Sequence, residues 1–172
     1  MKTHYTIVDG YNVIGQSAEL KRIAEESLEE ARKTLLLTLV NYNARQQTEL
    51  ICVFDAYMTG SNEAREYFHG INVIYSKKDE TADAVIERLV YELYDKHITR
   101  IMVITSDLSE QHTIFGAGAL RLSSREFLLE LEEDKELLER DLEEMKHDKP
   151  RMRIAIDDET KNRLEQLRRG HK

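Results

Sequence analysis

Cysteine and proline each occur once in this 172-residue chain, and glycine occurs seven times. One cysteine excludes an intramolecular disulfide framework, and Cys52 sits in the apolar run Leu50-Ile51-Cys52-Val53-Phe54, which reads as core. No internal repeat or low-complexity linker is visible. No apolar stretch approaches the roughly 20 residues that a membrane helix needs. The N-terminus also lacks the basic-then-apolar pattern of a signal peptide, so the expectation is a cytoplasmic protein with no membrane partner. A Walker A sequence is absent, and Gly116-x-Gly118 is too short for a dinucleotide fingerprint and does not follow the first strand. No nucleotide cofactor is expected. The six histidines lie far apart, without metal-ligand spacing or a serine or cysteine partner, and read as surface or structural residues. An aspartyl-phosphate enzyme would want a second acid two residues after Asp9, where Tyr11 stands.

What is present is an ordinary globular composition, 41% hydrophobic and 34% charged. Chains of this size bury roughly 70% of their unfolded surface, enough for a core without covalent staples. The length fits a single domain spanning 1–172, with residues 125–172 as an extension. The net charge of −8 argues at first against a nucleic-acid binder. Residues 126–148, however, hold eleven acidic and three basic residues and so carry the whole excess; elsewhere the signs balance.

Continuous β-branched runs alternate with stretches of helical period, the pattern of an α/β domain with a mainly parallel sheet. Strands are expected at Tyr5 to Val8, Leu50 to Phe54, Ile71 to Tyr75 and Ile101 to Ile104, with an edge strand at Leu120 to Leu122. Leu20, Ala24, Leu28, Ala31, Leu35 and Leu39 step by three or four, predicting one long helix from about Ser17 to Arg45. Thr81 reads as the N-cap of a helix from Ala82 to Lys96. Ser123 or Ser124 caps a helix that carries the acidic run to about Lys146, with only a thin apolar stripe of Leu131, Leu138, Leu142 and Met145. Arg153 to Ile156 is short and apolar, and Asp157 caps a last, basic helix to Arg169.

The informative pattern is where the carboxylates fall. Asp9, Asp55 and Asp107 each follow a predicted strand, at the edge where open α/β sheets bind ligands, and Asp83 lies in the first turn of the following helix. Singly, each is as well explained as a helix cap or turn former, and the helix dipole alone favours an acid at position 83. Together they suggest a site for a divalent cation, because clustered carboxylates repel one another until a cation offsets them. Oxygen-only ligands suit Mg²⁺ or Mn²⁺, and the matching reaction is phosphodiester hydrolysis. Lys77, Lys78, Arg121 and Arg125 lie on loops near that edge, where they contact phosphates or are simply solvated. Tyr11 and Tyr57 are placed to stack on RNA bases or to pack.

Five blocks occur in order: Ile7-Val8-Asp9-Gly10-Tyr11-Asn12-Val13-Ile14-Gly15, Val53-Phe54-Asp55-Ala56-Tyr57, Glu80-Thr81-Ala82-Asp83, Val103-Ile104-Thr105-Ser106-Asp107 and Phe115-Gly116-Ala117-Gly118-Ala119-Leu120-Arg121. Together they closely resemble the YacP-type NYN-domain proteins, a bacterial branch of the PIN-like ribonucleases. The resemblance implies a PIN-like three-layer α/β/α sandwich and a Mg²⁺- or Mn²⁺-dependent acidic site. It implies Asp9 and Asp83 as principal metal ligands, with Asp107 and Asp55 completing the pocket. Asn12 becomes a polar helper at the attacking water or scissile phosphate, Ser106 a phosphate contact or support, and Glu87 an outer neighbour. It also implies an endoribonuclease acting on RNA, with mRNA on the ribosome as the substrate of the nearest branch. Two alternatives stand beside it: a non-catalytic ribosome- or RNA-binding module, and a PIN-like nuclease for tRNA or another structured RNA.

Overall fold

Alternation along the central strands decides the architecture. In the computed structural model, which describes residues 2–56, 64–107, 114, 116, 118–147 and 158–168, odd and even positions serve opposite faces of one sheet. Val8, Cys52 and Phe54 enter one apolar cluster, and Ile7, Ile51 and Val53 enter another. A strand buried on both faces must be apolar throughout, which is why these runs are continuous.

The chain divides into two compact units, Met1–Lys135 and Glu136–Lys172. The first contains β1 (Thr3–Asp9), α1 (Gly10–Gln16), α2 (Ala18–Glu26), α3 (Leu28–Gln46), β2 (Glu49–Phe54), β3 (Ala64–Phe68), β4 (Ile71–Tyr75), α4 (Ala82–Leu93), β5 (Thr99–Ile104), β6 (Leu120–Leu122) and the start of α5 (Ser124–His147). The six strands run in the order β3-β4-β2-β1-β5-β6. All neighbouring pairs are parallel except β3 with β4. The second unit holds the rest of α5 and α6 (Asp158–Arg168); Arg153 to Ile156 and the expected cap Asp157 lie outside the described residues.

On one face Val13, Ile14, Leu20, Ala31, Leu35, Leu36 and Leu39 of α1–α3, with Phe127 and Leu131 of α5, close the first cluster. On the other, Val85, Ile86, Leu89 and Val90 of α4 close the second. The result is a three-layer α/β/α sandwich with a mainly parallel sheet; the strand pattern predicts the sheet and the family resemblance the layers.

The expected single helix from Ser17 to Arg45 is instead two, α2 and α3, parted at Ser27, with the short α1 ending just before Ser17. Ser17 (φ −96°, ψ 121°) and Ser27 (φ −153°, ψ 112°) are extended, and their hydroxyls accept the N–H of Leu20 and of Glu30. A serine that caps the next helix gives the backbone an alternative to continuing the last one. The helical period survives the break, so Leu20, Ala31, Leu35 and Leu39 are buried as the spacing indicates. Helix α4 stops at Leu93 rather than Lys96, because Asp95 folds back: its Oδ1 accepts the His97 N–H and its carbonyl accepts from Thr99. β3 was not expected. It joins β4 through His69 (φ 45°) and Gly70 (φ 97°), two left-handed residues in a tight hairpin. Of the expected α5 stripe, Leu131 is buried, whereas Leu142 and Met145 are exposed.

Candidate acidic site at the C-terminal edge of the sheet

The strand order reverses at β1: the chain moves outward through β2 and β4 on one side and through β5 and β6 on the other. The crevice beyond such a switch point is where open α/β sheets bind ligands. Asp9 is the last residue of β1 and therefore sits at its centre. It also caps α1, its Oδ1 accepting the Asn12 N–H at 3.2 Å. Gly10 makes this sharp strand-to-helix turn possible. A Cβ there would lie 2.3 Å from Cε1 of the fully buried Phe54, so only glycine lets α1 start against that ring.

Asp9 is 8% exposed. Burial chiefly, then the fields of Asp83, Asp107 and Asp55, raise its pKa from 3.8 to about 6, against the lowering effect of the Asn12 N–H. The structure thus brings the four expected aspartates into one electrostatic neighbourhood. Asp55 follows β2, half-buried, and Asp107 lies three residues past β5, its N–H donating to Thr105 Oγ1 at 3.1 Å. Asp83 sits in the first turn of α4, whose cap Thr81 accepts the Ala84 N–H.

Among the described residues, no three His, Cys, Asp or Glu side chains form a group at metal-holding spacing. The donor chemistry nonetheless fits a hard divalent cation, because it consists of carboxylate oxygens around one buried acid whose ionisation its neighbours oppose. Asp9, Asp83 and Asp107, with Asp55 beside them, are the residues that could hold it.

Asn12 and Ser106 meet, but face each other. Asn12 Oδ1 accepts the Ser106 N–H at 2.8 Å and the Ser124 hydroxyl at 2.6 Å, and Ser106 Oγ accepts the Ser124 N–H at 3.1 Å. The two donors identify the accepting atom as the amide oxygen. Tyr11 is engaged in packing: its hydroxyl accepts from Arg32 at 2.9 Å and its ring meets Phe54 edge-on, 5.1 Å between centroids. Arg121 braces the Asp107 loop, its Nε donating to the Thr105 carbonyl at 3.0 Å. Lys77 and Lys78 are exposed after β4, Arg125 is exposed in the first turn of α5, and Glu87 is exposed on α4. Tyr57 lies outside the described residues.

Ser124 and Thr105 were not singled out for the site. For Ser124 a signal existed: Ser123-x-x-Glu126 is a capping box, which assigns the cap to Ser123 and leaves the second serine unexplained. For Thr105 there was none. A cleft of about 290 Å³ opens near the opposite, N-terminal edge of β1, lined among others by His4, Tyr42, Arg100 and Glu130; none of the four aspartates lines it.

A family model described as the YacP-like NYN domain matches residues 6–169. The Bacillus subtilis (strain 168) protein YacP is 40% identical over 164 residues, which is 95% of this chain and 96% of that protein. A crystal structure of Rae1 (YacP) from Bacillus subtilis matches with a TM-score of 0.75 at 39% identity, covering 99% of this chain and 96% of that one. The crystal structure of a mutant of the same protein gives 0.74 at 39% identity over 86% of each chain.

Proposed function

The chain belongs to the YacP-like NYN-domain family, whose fold is of the nuclease type, and from that premise we propose that it is a metal-dependent endoribonuclease. The observation that carries the reading is Asp9: a carboxylate ending the central strand at the switch point, its pKa raised first by burial and further by three neighbouring aspartates. Asp9, Asp83 and Asp107 hold Mg²⁺ or Mn²⁺ in this reading, with Asp55 beside them. A bound cation would supply positive charge near the scissile phosphate and would lower the pKa of the attacking water.

The chain's own residues place the substrate. Lys77, Lys78 and Arg125, exposed near the edge, suit phosphates on either side of the cut. Arg121 and Asn12 act from behind, holding the Thr105–Asp107 loop and the start of α1. Attack by water leaves a 5′-phosphate and a 3′-hydroxyl.

The finer substrate in this proposal is mRNA engaged with the ribosome. Charge supports it, since a chain without a basic excess has little counterion release to drive binding of naked RNA and needs another element to deliver the strand. The test is cleavage of RNA with Mn²⁺ by the parent, Asp9→Asn and Asp83→Asn proteins, with product ends mapped. Loss of cleavage in folded variants, by about a hundredfold or more, is expected from removal of a ligand. Full activity in the folded double variant would overturn the mechanism. Cellular cut sites that persist when translation is blocked would overturn the ribosomal part.

A further inference from the structure

We propose that Ser124 is a positioning residue for the acidic edge, closing a ring of hydrogen bonds that holds Asp9 and Asp107 in fixed relation. The catalytic consequence rests on the nuclease reading above, whereas the ring rests on geometry alone.

Two adjacent serines open α5, and they do different work. Ser123 is the cap: its Oγ accepts the Glu126 N–H at 3.2 Å, and Glu126 Oε2 accepts both the Ser123 N–H at 3.1 Å and its hydroxyl at 2.6 Å. With the capping box complete, the helix makes no demand on the next hydroxyl. Ser124 is nevertheless fully buried, and both its polar groups point away from its own helix. Its hydroxyl donates to Asn12 Oδ1 and its N–H to Ser106 Oγ, while the Ser106 N–H returns to Asn12 Oδ1. Asn12 and two residues 94 and 112 positions from it form a closed cycle.

Each of the other two members adjoins an acid. The Asn12 N–H is held by Asp9 Oδ1, and Ser106 is bonded directly to Asp107. The strand register holds the bases of β1 and β5 together, Val8 against Ile104, but Asp107 lies three residues beyond that last pair. What fixes it is the loop. Thr105 is held by its N–H to the Leu122 carbonyl and by its carbonyl to Arg121, and Ser106 is held by the ring. Ser124 therefore acts through Asn12 and Ser106 and touches neither carboxylate in the hydrogen bonds described.

The experiment compares Ser124→Ala with Ser123→Ala, and adds Asn12→Ala alone and combined with Ser124→Ala. Steady-state cleavage of a single-stranded RNA with Mn²⁺ and amide hydrogen exchange at Ser106 are both measured. Ser124→Ala should lower kcat about tenfold with KM within about twofold, because a misplaced ligand costs rate rather than substrate affinity. It should also speed exchange at Ser106, and add little further loss in the Asn12→Ala background. Ser123→Ala should lower thermal stability through the lost cap while leaving kcat and Ser106 exchange near the parent values. Parent-like kcat and Ser106 exchange in Ser124→Ala, or identical behaviour of the two serine variants, overturns the proposal. If the parent and Asp9→Asn are equally inert on RNA, it is the nuclease reading that fails. Exchange at Ser106 in Ser124→Ala then decides the ring alone: faster upholds it, unchanged overturns it.

Discussion

Asp9 answers to two opposed requirements, and its pH behaviour separates them. In the folded chain, burial and three neighbouring acids favour the protonated carboxyl, so the native state holds this proton more tightly than the unfolded chain does. Below the ordinary value of 3.8 both states are protonated and the residue costs nothing; as pH rises to about 6 and beyond, the folded state must carry a buried charge, at about 3 kcal/mol. Asp9→Asn removes the titration while keeping an acceptor for the Asn12 N–H. In chelator near pH 7.5 the variant should be more stable than the parent by roughly 1–3 kcal/mol, the advantage falling to near zero below about pH 4. Urea denaturation across that range checks it, and an advantage independent of pH would contradict the stated cause. Gly10 is the companion case. Gly10→Ala drives a methyl into the Phe54 ring, and equilibrium denaturation should register a loss of about 1–3 kcal/mol or more.

At the scale of elements, the serine caps between α1, α2 and α3 carry a measurable load. Ser27→Ala removes the acceptor for the Glu30 N–H and should cost about 1 kcal/mol, seen as a lower denaturation midpoint at unchanged slope. The same serines show why the sequence was legible in one respect and opaque in another. The apolar spacing from Leu20 to Leu39 identifies the buried face correctly, because a one-residue break between helices barely disturbs which side is apolar. It does not reveal the break at Ser27, since a serine in a helical pattern is equally a tolerated residue and a cap. β1, β2, β4 and β5 could be read because their central residues feed apolar clusters on both faces of the sheet, with polar exceptions such as Asn72 and Arg100 left exposed. β3 could not, since Arg65, Glu66 and Tyr67 are exposed and only pairing with β4 makes them a strand. For the site, strand-end position exposes the aspartates to sequence reasoning. The inward-facing hydrogen bonds of Asn12 and Ser106 depend on Ser124, more than a hundred residues from Asn12, and no local pattern announces such a meeting.

At the scale of the whole molecule, charge sets what the protein can grip. The excess of −8 belongs to residues 126–148, and the described part of that segment lies in α5. Among the described residues near the acidic edge, Lys77, Lys78 and Arg125 are exposed cations, and Arg121 donates to the Thr105 carbonyl. About three phosphate contacts predict a shallow dependence of single-strand RNA affinity on salt, with a log–log slope near −2. Fluorescence anisotropy at several salt concentrations measures it, and a slope of about −5 or steeper would reveal a basic groove outside these residues.

The lone cysteine has a use that neither its scarcity nor its packing suggests. Cys52 pairs in register with Val8 at the middle of the sheet, is fully buried, and has its thiol pKa pushed up by that burial. A chain with one such sulfur carries its own clock: a thiol reagent in excess reacts only when the β1–β2 pair opens, and each event releases one chromophore per molecule. Labelling under native conditions should follow a single exponential, and a cation bound among the aspartates at the end of that same pair should slow it. Acceleration by Mn²⁺ would mean that the cation favours the opened chain. The sheet that carries Asp9 at its edge thus reports on what binds there through an atom the solvent never reaches in the folded state.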